Sequence, residues 1–401
     1  MKKGWEYKKF KEIFPIKMGK TPPRGDKSCW DTEKRGKNKW VSIADISNNE
    51  GKIIYDTKEY ISDSAAKKIN KADKGSLLMS FKLSIGKMAF AGDNLYTNEA
   101  IISIPDTSIY NLRFIYYYLL SYDWKSLTDG NEKVKGATLN KTSIGNIKLP
   151  TLSLSEQKEI VEYLDSSFAK IDKLKENAAK NLEEAKALFL SALKNALEPK
   201  EGWEEKTLKE LSEIQSGYAF KSSDFKSSGK YQVIRMGNVR PGVIRYNESP
   251  VFINEELDEK AKEKALLQIG DMIITQTGSR NKRDYGFTVL IEKDNLLLNQ
   301  RIARIRVKDK LLNKYLLYYS WTDYFRDQYF ANEGGTVGQG NVGMDAIKDN
   351  IIPLPSLQEQ QSIVSFLDSL NETVNTLQQN YSRICDECDA LKQAILRQVF
   401  E

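Results

Sequence analysis

The chain has 401 residues, 40% hydrophobic and 29% charged, the balance of a soluble globular protein of two or three domains, with no stretch long and apolar enough for a membrane span. Its three cysteines and complete lack of histidine argue against a disulfide framework and against nearly every zinc site, catalytic triad or imidazole acid–base mechanism. The formal charge of +6 is unevenly spread: residues 1–154 carry +10, 155–198 carry −2, 199–355 carry +2 and 356–401 carry −4, so basic surface is segregated onto two large blocks, as a polyanion binder needs.

The opening, MKKGWEYKKF, is basic but lacks an apolar core, so it is not expected to be a secretory signal and the expected compartment is the cytoplasm. Residues 17–40, KMGKTPPRGDKSCWDTEKRGKNKW, hold eight basic and three acidic residues, with Pro and Gly keeping them out of regular structure. Lysine and arginine supply phosphate affinity, and Arg, Asn or Gln supply base choice. Lys20, Thr21, Arg24, Arg35 and Lys37 are therefore the candidates here for contact with a polyanion such as a nucleic acid, against a solvated charged surface as the plainer reading. Short β-rich runs follow, KWVSIADI, GSLLMSF and AIISI, punctuated by Gly, Asn and Asp. Between them FKLSIGK (81–87) offers Lys82, Ser84 and Lys87. The aromatic run NLRFIYYYLLSYDW has helical spacing, which points to core packing rather than base stacking.

At 150–165 comes PTLSLSEQKEIVEYLD, and then a segment free of Pro and Gly for roughly 40 residues, or about 60 Å of helix at 1.5 Å per residue. Its seam runs through Ile160, Leu164, Phe168, Ile171, Leu174, Ala178, Leu182, Ala185, Phe189, Ala192 and Ala196.

The chain then starts again. GWEEKTLKELSEIQSG (202–217) repeats GWEYKKFKEIFPIKMG (4–19) at eight positions. IRMGNV (234–239) corresponds to VSIADI (41–46), and NQRIARI (299–305) to NEAIISI (98–104). In this second block SGYAFKSSDF contains Lys221, and VRPGVIRY contains Arg240 and Arg245. The stretch TGSRNKRDYG (277–286) places Arg280, Asn281, Lys282 and Arg283 side by side, the densest group of reader-type side chains in the chain. A second aromatic run, NKYLLYYSWTDYFRDQYF, is read as helical core. GQGNVG (338–343) fits G-x-G-x-x-G, but no strand-to-helix context or downstream acid supports a dinucleotide site, and a flexible loop is expected.

PLPSLQEQQSIVSFLD (353–368) then echoes the first joint, with ten of seventeen positions identical between 150–166 and 353–369. A second long seam follows: Ile363, Leu367, Leu370, Val374, Leu377, Tyr381, Ile384, Cys388, Leu391, Ile395 and Gln398. CDEC (385–388) has no second pair and no histidine, so Cys388 is read as packing and not as a metal ligand. The expected fold is α+β: mixed α/β blocks at 1–152 and 199–355, and long helices at 153–198 and 356–401 pairing as an antiparallel coiled coil with pseudo-twofold repetition.

Two copies, each opening on Gly-Trp-Glu and closing on P-x-[LP]-S-L-x-EQ before a long helix, resemble the DNA specificity subunit of Type I restriction-modification systems. GKTP (19–22), SIGK (84–87), SGYAFKSSDF (216–225) and LPSLQEQ (354–360) carry the likeness too. The resemblance implies two target-recognition domains, each reading one half of a bipartite site in double-stranded DNA, and a coiled coil that sets the spacer. It further implies docking of two adenine-methyltransferase (modification) subunits, then motor-nuclease (restriction) subunits, with no catalysis by this chain. S-adenosylmethionine, Mg²⁺ and ATP would be expected only on those partners. No membrane partner is expected, and no metal site. Neither an N-P-P-[FY] motif nor a Walker A sequence is present. The competing readings are a DNA-acting enzyme, nuclease or modification enzyme, with an unrecognised carboxylate–metal site, and a coiled-coil scaffold that does not bind nucleic acid.

Overall fold

A short antiparallel ribbon closes each copy of the repeat. Glu6–Lys9 pairs with Lys148–Thr151, Glu6 lying opposite Thr151, and Glu204–Thr207 pairs with Ile351–Leu354, Glu204 lying opposite Leu354. The computed structural model describes residues 2, 4–127, 139–254 and 259–401. Its contacts divide it into one unit of Met1–Ala178 with Ser382–Glu401, and another of Ala179–Tyr381. Each long helix thus contributes its beginning to one unit and its end to the other.

The first unit is built on a five-stranded sheet in the order Lys17–Met18, Ile101–Ile104, Leu77–Ser80, Met88–Ala91, Ile53–Ile54. A four-stranded sheet runs Glu59–Tyr60, Lys39–Val41, Leu95–Thr97, Lys71–Ala72. The second unit repeats the central order, Ser212–Ser216, Ile302–Val307, Met272–Thr275, Thr288–Leu290, beside a three-stranded sheet of Phe252–Ile253, Tyr231–Ile234 and Leu296–Leu298. Central strands read as unbroken apolar runs because both faces are covered. Alternate residues divide between two cores: Leu77, Met79, Ile102 and Ile104 face the aromatic helix Leu112–Ser121, while Leu78 and Ile101 join Val41 and Ile46 on the other side. Met272, Ile274 and Ile305 against Ile273 and Ile302 do the same in the second unit.

Both aromatic runs are core. Tyr118 donates to the Lys148 carbonyl at 2.7 Å and Tyr315 to the Pro353 carbonyl at 2.8 Å, so these hydroxyls brace the ribbons. The second run is two helices, Asn313–Tyr319 and Asp323–Phe330, because the Thr322 hydroxyl accepts from the Phe325 N–H and starts a new one.

The repeated joint is a pair of equivalent clamps. Gln157 and Gln360 are fully buried. Gln157 donates to Ile109 and Leu152 carbonyls at 3.0 and 2.9 Å and accepts from the Asn111 N–H at 2.9 Å. Gln360 donates to Lys310 and Pro355 carbonyls, both at 3.0 Å, and accepts from the Leu312 N–H at 2.9 Å. One helical turn pair later, Asp165 takes Arg113 at 2.8 Å and the Tyr117 hydroxyl, and Asp368 takes Lys314 and Tyr318, both at 2.7 Å. The duplicated Gln and Asp thus fasten each long helix to the aromatic helix of its own block.

The long helices run over Leu154–Leu197 and Leu357–Phe400, 44 residues each. Within the first unit they are antiparallel: Ile171 meets Cys388, Lys392 donates to Asp172 at 2.5 Å, and Lys175 donates to Asp389 at 2.8 Å. Of the expected seam, Leu164, Ile171, Leu182, Phe189, Ile363 and Leu367 are buried, and Ile160, Phe168, Leu370, Val374, Leu377, Ile384 and Ile395 are partly buried. Leu391 is the correction: it is 50% exposed, as Leu174 is at 52%, and Gln398 is exposed as well. From Cys388 onward the inward face passes through Lys392 to the adjacent pairs Ile395–Leu396 and Val399–Phe400, with Leu396 and Phe400 the more deeply buried, so it has turned off the expected row through Leu391 and Gln398. The cause is Phe400, whose ring packs edge-on against Trp5, Phe114 and Tyr118 with centroids 6.3, 5.8 and 5.5 Å away. The helix end is thereby drawn into a domain core, and a straight helix of 3.6 residues per turn drifts off a 3.5-residue repeat. The first helix shifts in the same way, burying Leu193 and Leu197 beside the expected Ala192 and Ala196.

Candidate nucleic-acid interface

In the first unit the loop at 17–40 leaves its strand at Gly19, where a Cβ would stand 2.0 Å from the Thr97 carbonyl oxygen. Gly217, its repeat equivalent, meets the Asn299 carbonyl at the same 2.0 Å, so a backbone-to-backbone approach keeps glycine at both positions. Lys20 then donates its N–H to Thr97 at 2.8 Å, and its carbonyl accepts from the Trp40 indole at 3.2 Å. The Arg24 guanidinium lies over Trp30 and Trp40, 4.2 and 4.8 Å from the ring centroids, and pairs with Glu59. That arrangement fastens the loop while leaving the Arg24 side chain 54% exposed. Asp26, held below the usual carboxylate range by the Ser28 hydroxyl and N–H, and Asp31, held there mainly by the Gly36 N–H, make the remaining turns.

Thr21 bonds Glu99, whose carboxyl also senses Lys82, so two of the candidates from distant stretches come together. Lys87 pairs with Glu50, and Ser84 is engaged through its backbone, its N–H donating to Lys82 at 2.7 Å. Arg35 pairs with Glu33 at 83% and 62% exposure. A pair that exposed is worth about 0–1 kcal/mol, so a phosphate could take its place at small cost. Lys20 and Lys37 are exposed and make no ion pair among the described residues.

In the second unit Glu248 gathers both Arg240, at 3.9 Å, and Arg245, at 2.7 Å, so these candidates are compensated internally. Lys221 is exposed at the start of a short 3₁₀ turn, Ser222–Asp224. Asn281, Lys282 and Arg283 are exposed, with Arg283 at φ 44° and its guanidinium 4.9 Å from the Phe330 ring centroid. Arg326 stands over the same ring at 5.2 Å, and burial together with the Arg283 charge lowers its pKa. Arg280 behaves differently from its three neighbours. It donates to the Glu333 and Gly334 carbonyls at 3.3 and 2.8 Å and lies 3.4 Å from the Glu333 carboxylate, so it holds another part of the chain in place.

That other part is a hairpin whose second strand lies in the G-x-G-x-x-G stretch, so the flexible loop expected there is instead part of a sheet. Gly334–Thr336 pairs with Gln339–Asn341, and the latter pairs with Thr277–Ser279, making one three-stranded sheet out of the two motifs. Burial raises the pKa of Tyr285 first, and its bond to Glu333 second; the phenol stays protonated beneath the sheet. Arg301, at φ 67° and exposed, also escaped notice in the sequence: its counterpart in the first block is Ala100, so the repeat offered no basic residue to compare. Among the described residues no group of three or more His, Cys, Asp or Glu could hold a metal ion, and no helix is long and apolar enough to cross a membrane. The two surfaces offer cations, amides and hydroxyls on fixed loops, which is chemistry for binding a polyanion.

Known proteins share this plan. The family model for the Type I restriction modification DNA specificity domain matches twice, over residues 2–184 and 200–384. The MjaIX specificity subunit of a Type I restriction enzyme from Methanocaldococcus jannaschii is 27% identical over 281 residues, 63% of this chain and 62% of that protein. The MjaVIII specificity subunit from the same organism is 25% identical over 81% of this chain and 80% of its own length. The EcoKI specificity subunit of Escherichia coli is 25% identical over 66% of this chain and 60% of its own. The matched region therefore spans about three fifths of the MjaIX and EcoKI proteins. Among structures, a chain from work on assembly and conformational transition of the type I R-M system covers all of this chain and 98% of its own, at 17% identity and a TM-score of 0.76. The HsdS subunit from Thermoanaerobacter tengcongensis covers 100% and 97% at 18% identity, with a TM-score of 0.57. At such identities these two establish the fold.

Proposed function

The chain belongs to the Type I restriction modification DNA specificity domain family, and on that premise we propose that it is the sequence reader of a restriction-modification complex. Each unit reads one half of a bipartite site in double-stranded DNA. The observation that carries this reading is the doubling itself: the same clamps and central strand order twice, in blocks whose sequences diverge far more than the joints do. A protein that reads two unlike half-sites needs a constant frame and variable loops.

The long helices act as the spacer between half-sites. Two modification subunits dock on this frame and restriction subunits join them, in the cytoplasm and away from any membrane. S-adenosylmethionine, Mg²⁺ and ATP act on those partners, and this chain is not itself catalytic. Lys20, Lys37, Lys82, Lys221, Lys282 and Arg283 contribute phosphate affinity; Thr21, Ser84 and Asn281 lie among them as neutral hydrogen-bonding groups. Arg24, Lys87, Arg240, Arg245 and Arg280 start from internal partners and serve mainly to hold the loops, whereas Arg35, whose pair with Glu33 is weak, joins the phosphate contacts.

The purified complex with the modification subunit should bind duplex DNA with an affinity that falls steeply with salt, as phosphate neutralisation requires. The chain alone, given Mg²⁺ and S-adenosylmethionine, should neither cut nor methylate DNA. Salt-independent binding, or turnover by the chain alone, would favour the scaffold or the enzyme reading instead.

A further inference from the structure

We propose that the glycine-rich hairpin at 334–341 is the finger with which the second unit reads base edges in the major groove of duplex DNA, through the Gln339 and Asn341 amides and the Val337 side chain. This rests on the DNA-reading function proposed above and names the element that performs it.

The register of the three strands sorts the side chains into two faces. Gly278, Gly340 and Gly335 lie opposite one another in a single row, and Ser279, Gln339 and Thr336 form the next row. A Cβ on Gly340 would stand 2.1 Å from the Tyr285 hydroxyl oxygen and one on Gly278 2.7 Å from the Tyr285 ring, so these two glycines let their strands lie close on that side chain, while Gly335, at φ 113°, closes against the Gln339 carbonyl. Strand alternation then turns Gln339, Thr336 and Asn341 to the other side, where all three are exposed. Val337, at the turn, is fully exposed.

The finger is held from behind. Gln276, almost fully buried, donates to the Val342 carbonyl at 3.2 Å and accepts the Val342 N–H on its own carbonyl at 2.9 Å. Arg280 grips Glu333 and Gly334, and its N–H donates to the Gly338 carbonyl at 3.3 Å. Arg280 is thus a positioning residue. Exposed amides on a braced strand match what base reading needs. Gln and Asn form paired hydrogen bonds with adenine N6 and N7, a small apolar group fits a thymine methyl, and the major groove admits a β-ribbon. Lys282 and Arg283, on the loop that follows the third strand, lie beside the finger and suit the flanking phosphates. A protein partner would call for large apolar anchors at the centre of the patch, and this face offers amides and hydroxyls.

The test uses the full complex with the modification subunit and duplexes carrying every single-base change in the target. Gln339→Ala and Asn341→Ala should each weaken discrimination at one base pair of one half-site by about fivefold to a hundredfold, leaving the other half-site as selective as before. Gln339→Glu, which keeps the size and the exposed site, should change the preferred base at the same pair. Unchanged discrimination at every position overturns the proposal. So does failure of the variant chain to assemble with the modification subunit, which would make the hairpin a protein contact. If the parent complex itself shows no sequence preference, the DNA-reading function fails, and the finger with it.

Discussion

Gln157 and Gln360 show what a repeated sequence can hide. From the chain alone, "EQ" in both joints is only part of a repeated motif that opens a long helix. In the fold each glutamine is sealed under its block and satisfies two carbonyls and an N–H that nothing else reaches. Removing it leaves those groups buried and unmet, at about 1–3 kcal/mol each, partly relieved by relaxation. Gln157→Leu and Gln360→Leu should therefore each destabilise by about 3 kcal/mol, by similar amounts, in urea unfolding followed by tryptophan fluorescence. A loss under about 0.5 kcal/mol in either would show that the clamp does not hold its helix. The candidate DNA contacts illustrate the opposite limit. Side-chain type pointed to Arg24, Arg240 and Arg280, but type cannot say whether a guanidinium faces solvent or is spent on a nearby tryptophan, glutamate or carbonyl. Those partners are 53 residues away in the case of Arg280 and Glu333, and no local pattern connects them.

At the scale of elements, periodicity was a good guide where one neighbour dominated. The apolar strands, the aromatic helices and most of the seam, Leu174 apart, follow their spacing directly. The seam fails at its ends because a heptad rule assumes the partner is another helix throughout, and here Phe400 packs among rings of the first block. The account separates two leucines five residues apart: Leu396 is fully buried and Leu391 half exposed. Leu396→Ala should cost about 2–5 kcal/mol and Leu391→Ala less than about 1 kcal/mol, measured by thermal unfolding. Equal costs would restore the unbroken heptad. The hairpin at 334–341 was misjudged for a related reason. Its glycines look like flexibility in sequence, but Gly340 is there for close packing on the Tyr285 ring, and Gly335 and Gly338 for the positive φ that the hairpin requires.

For the molecule as a whole, the duplication was legible because the joints are constrained by buried hydrogen bonds that tolerate few substitutions. The blocks between them share topology with little sequence, since an exposed loop is free to change once the strands beneath it are fixed. That contrast is itself the argument for a reader with two unlike half-sites on one frame. The base sequence it reads depends on groove geometry and not on residue type, so the chain does not spell it out. The decisive measurement is to co-express the chain with its modification subunit and map N6-methyladenine across the host genome by single-molecule sequencing. The account predicts methylation confined to an asymmetric two-part motif with a gap of fixed length. Methylation without a motif, or a motif of one continuous part, would contradict it.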